Sequence, residues 1–180
     1  MTFLFHDTGI EGLYIVEMKR FGDSRGYFAE TYNKRDFDAA GLSYDFVQDN
    51  QSHSTRGVLR GLHFQKIHQQ AKLVRVLEGE VYDVAVDLRK ESKTFGKWRG
   101  IVLSGDNNLQ FMIPRGFAHG FQVISDAATF CYKCDEFYHP EDEGGLKWDD
   151  EYLNIDWPLK NNAILSDKDK IHPSFKELLI

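Results

Sequence analysis

The sequence predicts a mainly β fold, a sandwich or barrel of short strands. Two observations carry that expectation. The composition favours strand formers, with 14 Phe and 8 Tyr among 180 residues. Short apolar runs recur along the chain, separated by Gly, Asn and Asp turn signals. Only residues 33–41 show helix signals at both ends.

Residues 13–18 alternate as a strand, and residues 21–26 carry turn chemistry that leads into a second strand over 27–32. Asn33 is an N-cap for a short helix through Ala40, and Gly41 is placed to stop it. Residues 44–48 read as extended. Residues 72–77 form a strand, Glu78, Gly79 and Glu80 a tight turn, and residues 81–88 the return strand of a hairpin. Further strands are expected at 98–103, 110–113, 120–124 and 129–134. The last third is less regular, with short helices expected, the last near 174–179. No repeat, linker or low-complexity segment divides the chain, so residues 1–180 are read as one domain.

A formal net charge of −6 argues against a nucleic-acid backbone or an anionic membrane as partner. Local clusters of Arg and Lys leave an anionic small ligand possible. Cys131 and Cys134 sit three apart on a strand and so face opposite ways, which argues against a disulfide. With no second pair to complete a zinc site, both read as reduced thiols of a cytoplasmic protein. The first seven residues lack the basic start and apolar core of a signal peptide, and no run reaches membrane-spanning length.

The chemistry centres on Arg56, Gly57, Val58, Leu59, Arg60, Gly61, Leu62, His63, Phe64 and Gln65. An apolar strand frame here carries two arginines, a histidine and a glutamine that burial would penalise unless each finds a partner. The plain alternative is an edge strand with a solvated polar face. Glycine inside a strand marks a bulge or a close approach. Three residues of regular strand would send Arg60 and His63 to opposite faces; a bulge near Gly61, or opposite ends of one site, would reconcile them. His63 and His119 lie among apolar and glycine neighbours. His6, His53, His68, His139 and His172 read as surface groups, His53 less simply than the others because it is near this stretch.

Pro114, Gly116 and His119 fit the Pro-x-Gly-x-x-His half of the cupin pattern, a double-sheet jelly roll. The His-x-His half is absent, because Gln65 stands where the second histidine would be. That makes a poor divalent-metal shell, and a barrel without metal is expected. The central stretch combines with residues 72–76, 79–87 and 114–121 and with Tyr132, Lys133 and Cys134. Asp23 to Gly26, Gln48 to Asn50, Pro140 to Glu143, Ile155 to Pro158 and Leu165 to Asp169 extend the pattern in order. Together they resemble the dTDP-4-dehydrorhamnose 3,5-epimerase family over about residues 10 to 175. Residues 66–71 depart from it, lacking a proline and a glycine before the lysine.

The resemblance implies a cupin-type double-sheet jelly roll with a few short peripheral helices. It also implies a cofactor-independent enzyme that inverts C3 and C5 of a dTDP-linked 4-keto-6-deoxyhexose. His63 would be the base, Asp169 its carboxylate partner, Lys72 the cation at the enolate oxygen and Tyr132 the opposing acid. Without the resemblance, Asp169 reads as part of a solvated turn, Lys72 as a strand-end lysine and Tyr132 as a half-buried aromatic. Asp83 and His119 are implied as positioning groups. Arg25, Glu30, Gln48, Asn50, Arg60, Glu143 and Lys168 would hold the nucleotide and sugar, and Tyr138 would stack on the base. A homodimer with exchanged N-terminal strands is implied, so Arg25 and Glu30 would serve the partner's site. The alternatives are a single-carbon epimerase, a metal-dependent cupin or a non-catalytic nucleotide-sugar binder.

Overall fold

The computed structural model describes residues 2–179; Met1 and Ile180, the ends of the expected domain, lie outside the described residues. The elements in order are β1 (Phe3–Asp7), β2 (Tyr14–Met18), β3 (Arg20–Asp23), β4 (Gly26–Ala29), α1 (Lys34–Ala39), β5 (Gln48–Thr55) and β6 (Leu59–Gln65). They continue with β7 (Lys72–Glu78), β8 (Glu80–Asp87), β9 (Trp98–Ser104), β10 (Leu109–Ile113), β11 (Phe117–Val123), β12 (Ala127–Cys134) and β13 (Glu143–Gly145). Single 3-10 turns at Pro140–Asp142, Lys160–Asn162, Asp169–Ile171 and Glu177–Leu179 replace the short helices expected in the last third.

The strands form two antiparallel sheets, ordered β1-β2-β10-β7-β12-β5 and β13-β6-β11-β8-β9, with β3-β4 as a separate ribbon. This is the mainly β, double-sheet architecture that the sequence predicts. One expectation fails. β7 and β8 do not form a hairpin: β7 pairs with β10 and β12, and β8 pairs with β9 and β11. The turn at Gly79 carries the chain from one sheet to the other. A side chain there would meet the carbonyl oxygen of Ala127. The predicted turn at 21–26 is narrower, since Arg20–Asp23 already pairs with Gly26–Ala29, and residues 30–32 lie outside the ladder.

Period-two burial explains the layers. On β8, Val81 and Ala85 point between the sheets, while Val84 and Val86 pack outward. On β11, Phe117, Phe121 and Val123 join the inner core and Ala118 the outer cluster. The C-terminal segment covers the outer face of the five-stranded sheet with Leu146, Leu153, Ile155, Trp157 and Phe175. α1 covers the six-stranded sheet through fully buried Phe37, whose ring meets Phe3, Phe5 and Tyr32 at centroid distances of 5.4, 5.2 and 5.0 Å. Asn33 caps α1 by accepting from the Arg35 backbone N–H at 3.1 Å. Among the described residues no helix is long and apolar enough to cross a membrane.

β6 lies between β13 and β11 and is not an edge strand. Its pairing with β11 sets His63 opposite His119 and Arg60 opposite Phe121, so Gly61 and Leu62 face Gly120 alone. That bulge resolves the spacing of three. Leu59 and Leu62 both reach the outer cluster, and Arg60 and His63 both line the interior. Gly61 sits at φ +125°, and a Cβ there would lie 2.6 Å from the Gly120 Cα and 2.8 Å from the His119 oxygen. Gly61→Ala is therefore expected to destabilise the fold by about 3 kcal/mol and to misplace His63. Urea unfolding checks this, and an unchanged midpoint would contradict the bulge.

Candidate active site

β5 opens the sandwich at one end. Its inward positions are Gln48, Asn50, Ser52 and Ser54, so amides and hydroxyls stand where a closed core would have apolar chains. The result is a cavity of about 570 Å³ between the sheets. Phe121 and Phe130 lie in its wall, stacked at 4.1 Å. β6 and β11 contribute Arg60, His63 and His119, and β7 and β12 contribute Lys72 and Tyr132. Asn50, Glu143, Lys168 and Asp169 complete the polar lining, and Gln48 and Tyr138 line an adjoining recess.

His63 Nε2 lies 2.6 Å from Asp169 Oδ1, across 106 residues of chain. An Nε2–H donated to the carboxylate fixes the ring and leaves Nδ1 as the basic nitrogen. Burial pushes the Asp169 carboxyl up. The His63 hydrogen bond and charge, the Ser166 hydroxyl and the His172 charge outweigh burial and hold it below the usual carboxylate range. Asp169 is buried, so the solvated turn that residues 167–170 suggest exists only for Asp167 and Lys170, which pair with each other at 2.8 Å.

Tyr132 faces His63 from the other sheet. Burial pushes its phenol up, Cys134 adds to this and Arg60 opposes it. Lys72 places its ammonium 5.8 Å from the Tyr132 ring centroid. Burial pushes that ammonium below the ordinary lysine range, against the pull of Cys134, Asp83 and Glu143. The loop before Lys72 lacks the usual proline but is fixed otherwise. Asp142 accepts from the backbone N–H of Ile67 and His68, and Asp135 accepts from that of Ala71 at 2.6 Å.

Asp83 is fully buried behind the cavity wall and accepts from His119 Nε2 at 2.9 Å. His63 and His119 therefore turn to different carboxylates and do not converge as a cupin metal pair. Gln65 binds backbone, donating to the carbonyls of His68 and Phe137 and accepting from the His139 N–H. Arg60 is held by the Ser54 hydroxyl at 3.0 Å. Glu143 accepts from Tyr138 Oη and Lys168 Nζ, each at 2.5 Å. Burial pushes Glu143 up, but these two bonds bring it below its ordinary value, and the same contact raises the Tyr138 phenol to about 12.

Two predicted residues stand apart from this cavity. Arg25 pairs with Asp23 on the β3-β4 ribbon, and Glu30 accepts from the Asn33 amide at 3.0 Å. His172, read as a surface group, is half-buried. Its side chain is only 9% exposed, its Nε2 lies 3.3 Å from Asp169 Oδ1 without hydrogen-bond alignment, and its ring meets His63 edge-on at 5.6 Å. Burial and the His63 charge push its pKa down. Ser54 and Ser166, which position Arg60 and Asp169, also escaped the sequence reading, because an isolated serine carries no signal.

The sequence profile of the dTDP-4-dehydrorhamnose 3,5-epimerase family matches residues 7–177. The dTDP-4-dehydrorhamnose 3,5-epimerase of Methanothermobacter thermautotrophicus is 53% identical over 170 residues, 93% of this chain and 92% of the relative. The crystal structure of the enzyme of that name from Elizabethkingia anophelis superposes with a TM-score of 0.95 at 53% identity, covering 98% of both chains. The Legionella pneumophila epimerase in complex with dTDP-4-keto-L-rhamnose superposes with a TM-score of 0.94 at 49% identity, covering 97% of this chain and 93% of that one. A base paired with a carboxylate, a phenol across from it and a desolvated cation thus sit in a fold shared along nearly its whole length, and the chain belongs to the dTDP-4-dehydrorhamnose 3,5-epimerase family.

Proposed function

We propose that this chain, acting as one domain, inverts C3 and C5 of dTDP-4-keto-6-deoxy-D-glucose to give dTDP-4-keto-L-rhamnose in dTDP-L-rhamnose biosynthesis. One observation carries the reading. His63 and Tyr132 come from opposite sheets and line one cavity, with Lys72 beside them. A sugar ring held between the sheets would have a base on one face and an acid on the other. His63 takes the proton beside the ketone, and Asp169 stabilises the imidazolium that forms. Lys72 neutralises the enolate oxygen, and Tyr132 returns a proton from the opposite face. Arg60 and Lys168 supply cations for the diphosphate. Gln48, Asn50, Glu143 and Tyr138 fit the sugar and base, and the Asp83–His119 pair holds the wall behind them. The residues of this chain complete the proton transfers without a cofactor.

The reading also includes a homodimer. Phe21, Tyr27 and Phe28 on the ribbon are 50%, 62% and 68% exposed, an apolar surface that a partner would cover. In such a dimer the ribbon and the residue that follows it carry Arg25 and Glu30 to the partner's cavity. Its place of action is the cytoplasm, consistent with its free cysteines.

With the dTDP-linked keto sugar in deuterated water, proton NMR is expected to show deuterium at both C3 and C5 together with inversion. His63→Asn is expected to lower both by about 1,000-fold. Tyr132→Phe is expected to keep exchange while losing inversion, because His63 returns solvent deuterium to the face it came from. Full turnover in His63→Asn would remove the base from its role.

The pH profile separates Lys72 from Tyr132. Burial disfavours both the charged ammonium and the charged phenolate, so it pushes Lys72 down and Tyr132 up. Activity is expected to fall on the alkaline side with Lys72. Lys72→Met is expected to abolish that limb and lower kcat, and the deuterium exchange that Tyr132→Phe retains is expected to keep the same alkaline midpoint. A midpoint that moves in Tyr132→Phe reverses the assignment.

Mixing tests the dimer. Arg25→Ala and His63→Asn subunits, each inactive alone, are expected to recover about a quarter of wild-type activity when randomly paired, because one site in each mixed dimer is intact. No recovery would place Arg25 in its own chain's site or outside both.

A further inference from the structure

Among the described residues, one set of His, Cys, Asp and Glu donors converges: His63, Asp169 and His172, with ligand atoms all within 4.8 Å of one another. This set is unlike a surface acidic cluster. Asp169 is 3% exposed, and the His172 side chain is 91% buried by its 9% exposure. His172 Nε2 has no hydrogen-bond partner, although it points at the same carboxylate oxygen that His63 uses. A buried imidazole nitrogen that meets a carboxylate at 3.3 Å without hydrogen-bond alignment is placed to serve as a ligand for a cation.

The spacing fits one class of ion. Two donors each about 2.1 Å from a tetrahedral zinc lie roughly 3.4 Å apart. His172 Nε2 and Asp169 Oδ1 are 3.3 Å apart. His63 Nε2 and Asp169 Oδ1 stand at 2.6 Å because a proton joins them. Replacing that proton with a metal asks the pair to open by about 0.8 Å, and His63, whose side chain is 32% exposed, has room to move. Two imidazoles and a carboxylate with an open position suit zinc or a neighbouring divalent transition metal. Ions reach the site through the cavity that His63 and Asp169 line.

We infer that His63, Asp169 and His172 form an inhibitory zinc site, in which the metal takes the imidazole and the carboxylate from the proton-transfer pair and stops turnover. Zinc binding here does not depend on the epimerase reading, and its test separates the two.

Metal-free protein is titrated with zinc chloride by calorimetry and with cobalt chloride by visible absorption. The expected result is one zinc per chain, a tetrahedral cobalt spectrum, and loss of turnover that EDTA restores. His172→Asn and His172→Leu are expected to bind zinc at least about tenfold more weakly, and to need correspondingly more zinc to stop the turnover each retains in EDTA. His63→Asn supplies a second binding variant if the His172 variants do not fold. The absence of stoichiometric zinc would overturn the inference. So would unchanged affinity in all three variants, which would move the ion to the stacked His68–His139 pair or to a thiol. Calorimetry and the cobalt spectrum read out even if the protein has no epimerase activity.

Discussion

The hydrogen bond between His63 and Asp169 is the contact on which the site depends. It ties the middle of an interior strand to a 3-10 turn near the C-terminus, and the intervening chain must be in place before it forms. Its geometry is set from both ends. The Gly61 bulge turns His63 inward on one side. On the other, Ser166 Oγ accepts from the Asp169 N–H at 3.1 Å, and Ile164 pairs with residues 57–59 along the neighbouring segment. Burial alone would leave the Asp169 carboxyl reluctant to ionise, and the histidine reverses that. The pair is thus mutually enforcing: the carboxylate fixes the ring, and the ring favours the charged carboxylate.

A double-sheet sandwich would ordinarily close over its own core. Here the closure stops where β5 begins, because Gln48, Asn50, Ser52 and Ser54 present no apolar face inward. Phe121 and Phe130 mark the boundary between packed core and open cavity. The absence of hydrophobic patterning in one strand is what leaves room for a sugar. The same feature hid β5 from the sequence, where polar residues at 48–55 gave no strand signal.

Much else was legible. The alternation over β7 to β12, the cap at Asn33 and the opposed cysteines all follow from local chemistry, and the structure agrees. The bulge could be anticipated because Arg60, Gly61 and His63 pose a contradiction that a regular strand cannot satisfy. The β7-β8 hairpin could not be judged, since a tight Gly turn suits a hairpin and a crossing between sheets equally well. His172 failed for a related reason. It follows an exposed run, Lys170 and Ile171, but Gly145 from another element leaves the space its ring fills. Long-range packing decides such positions, and no local pattern reports it. Asp169 was separable from the polar residues around it only through resemblance.

In the proposed reaction, the role of Lys72 follows from its surroundings. Its ammonium is desolvated, and burial disfavours its charge. The carboxylates whose charges favour the ammonium, Asp83 and Glu143, are already committed, one to His119 and the other to Tyr138 and Lys168. The cation is therefore under-neutralised before anything binds. An enolate oxygen arriving beside it supplies the missing counter-charge in a place where water does not screen the pair. The neutral ketone of the bound sugar would draw much less from the same cation. That difference favours the charged intermediate over the ground state, which is the condition for lowering the barrier rather than merely tightening binding.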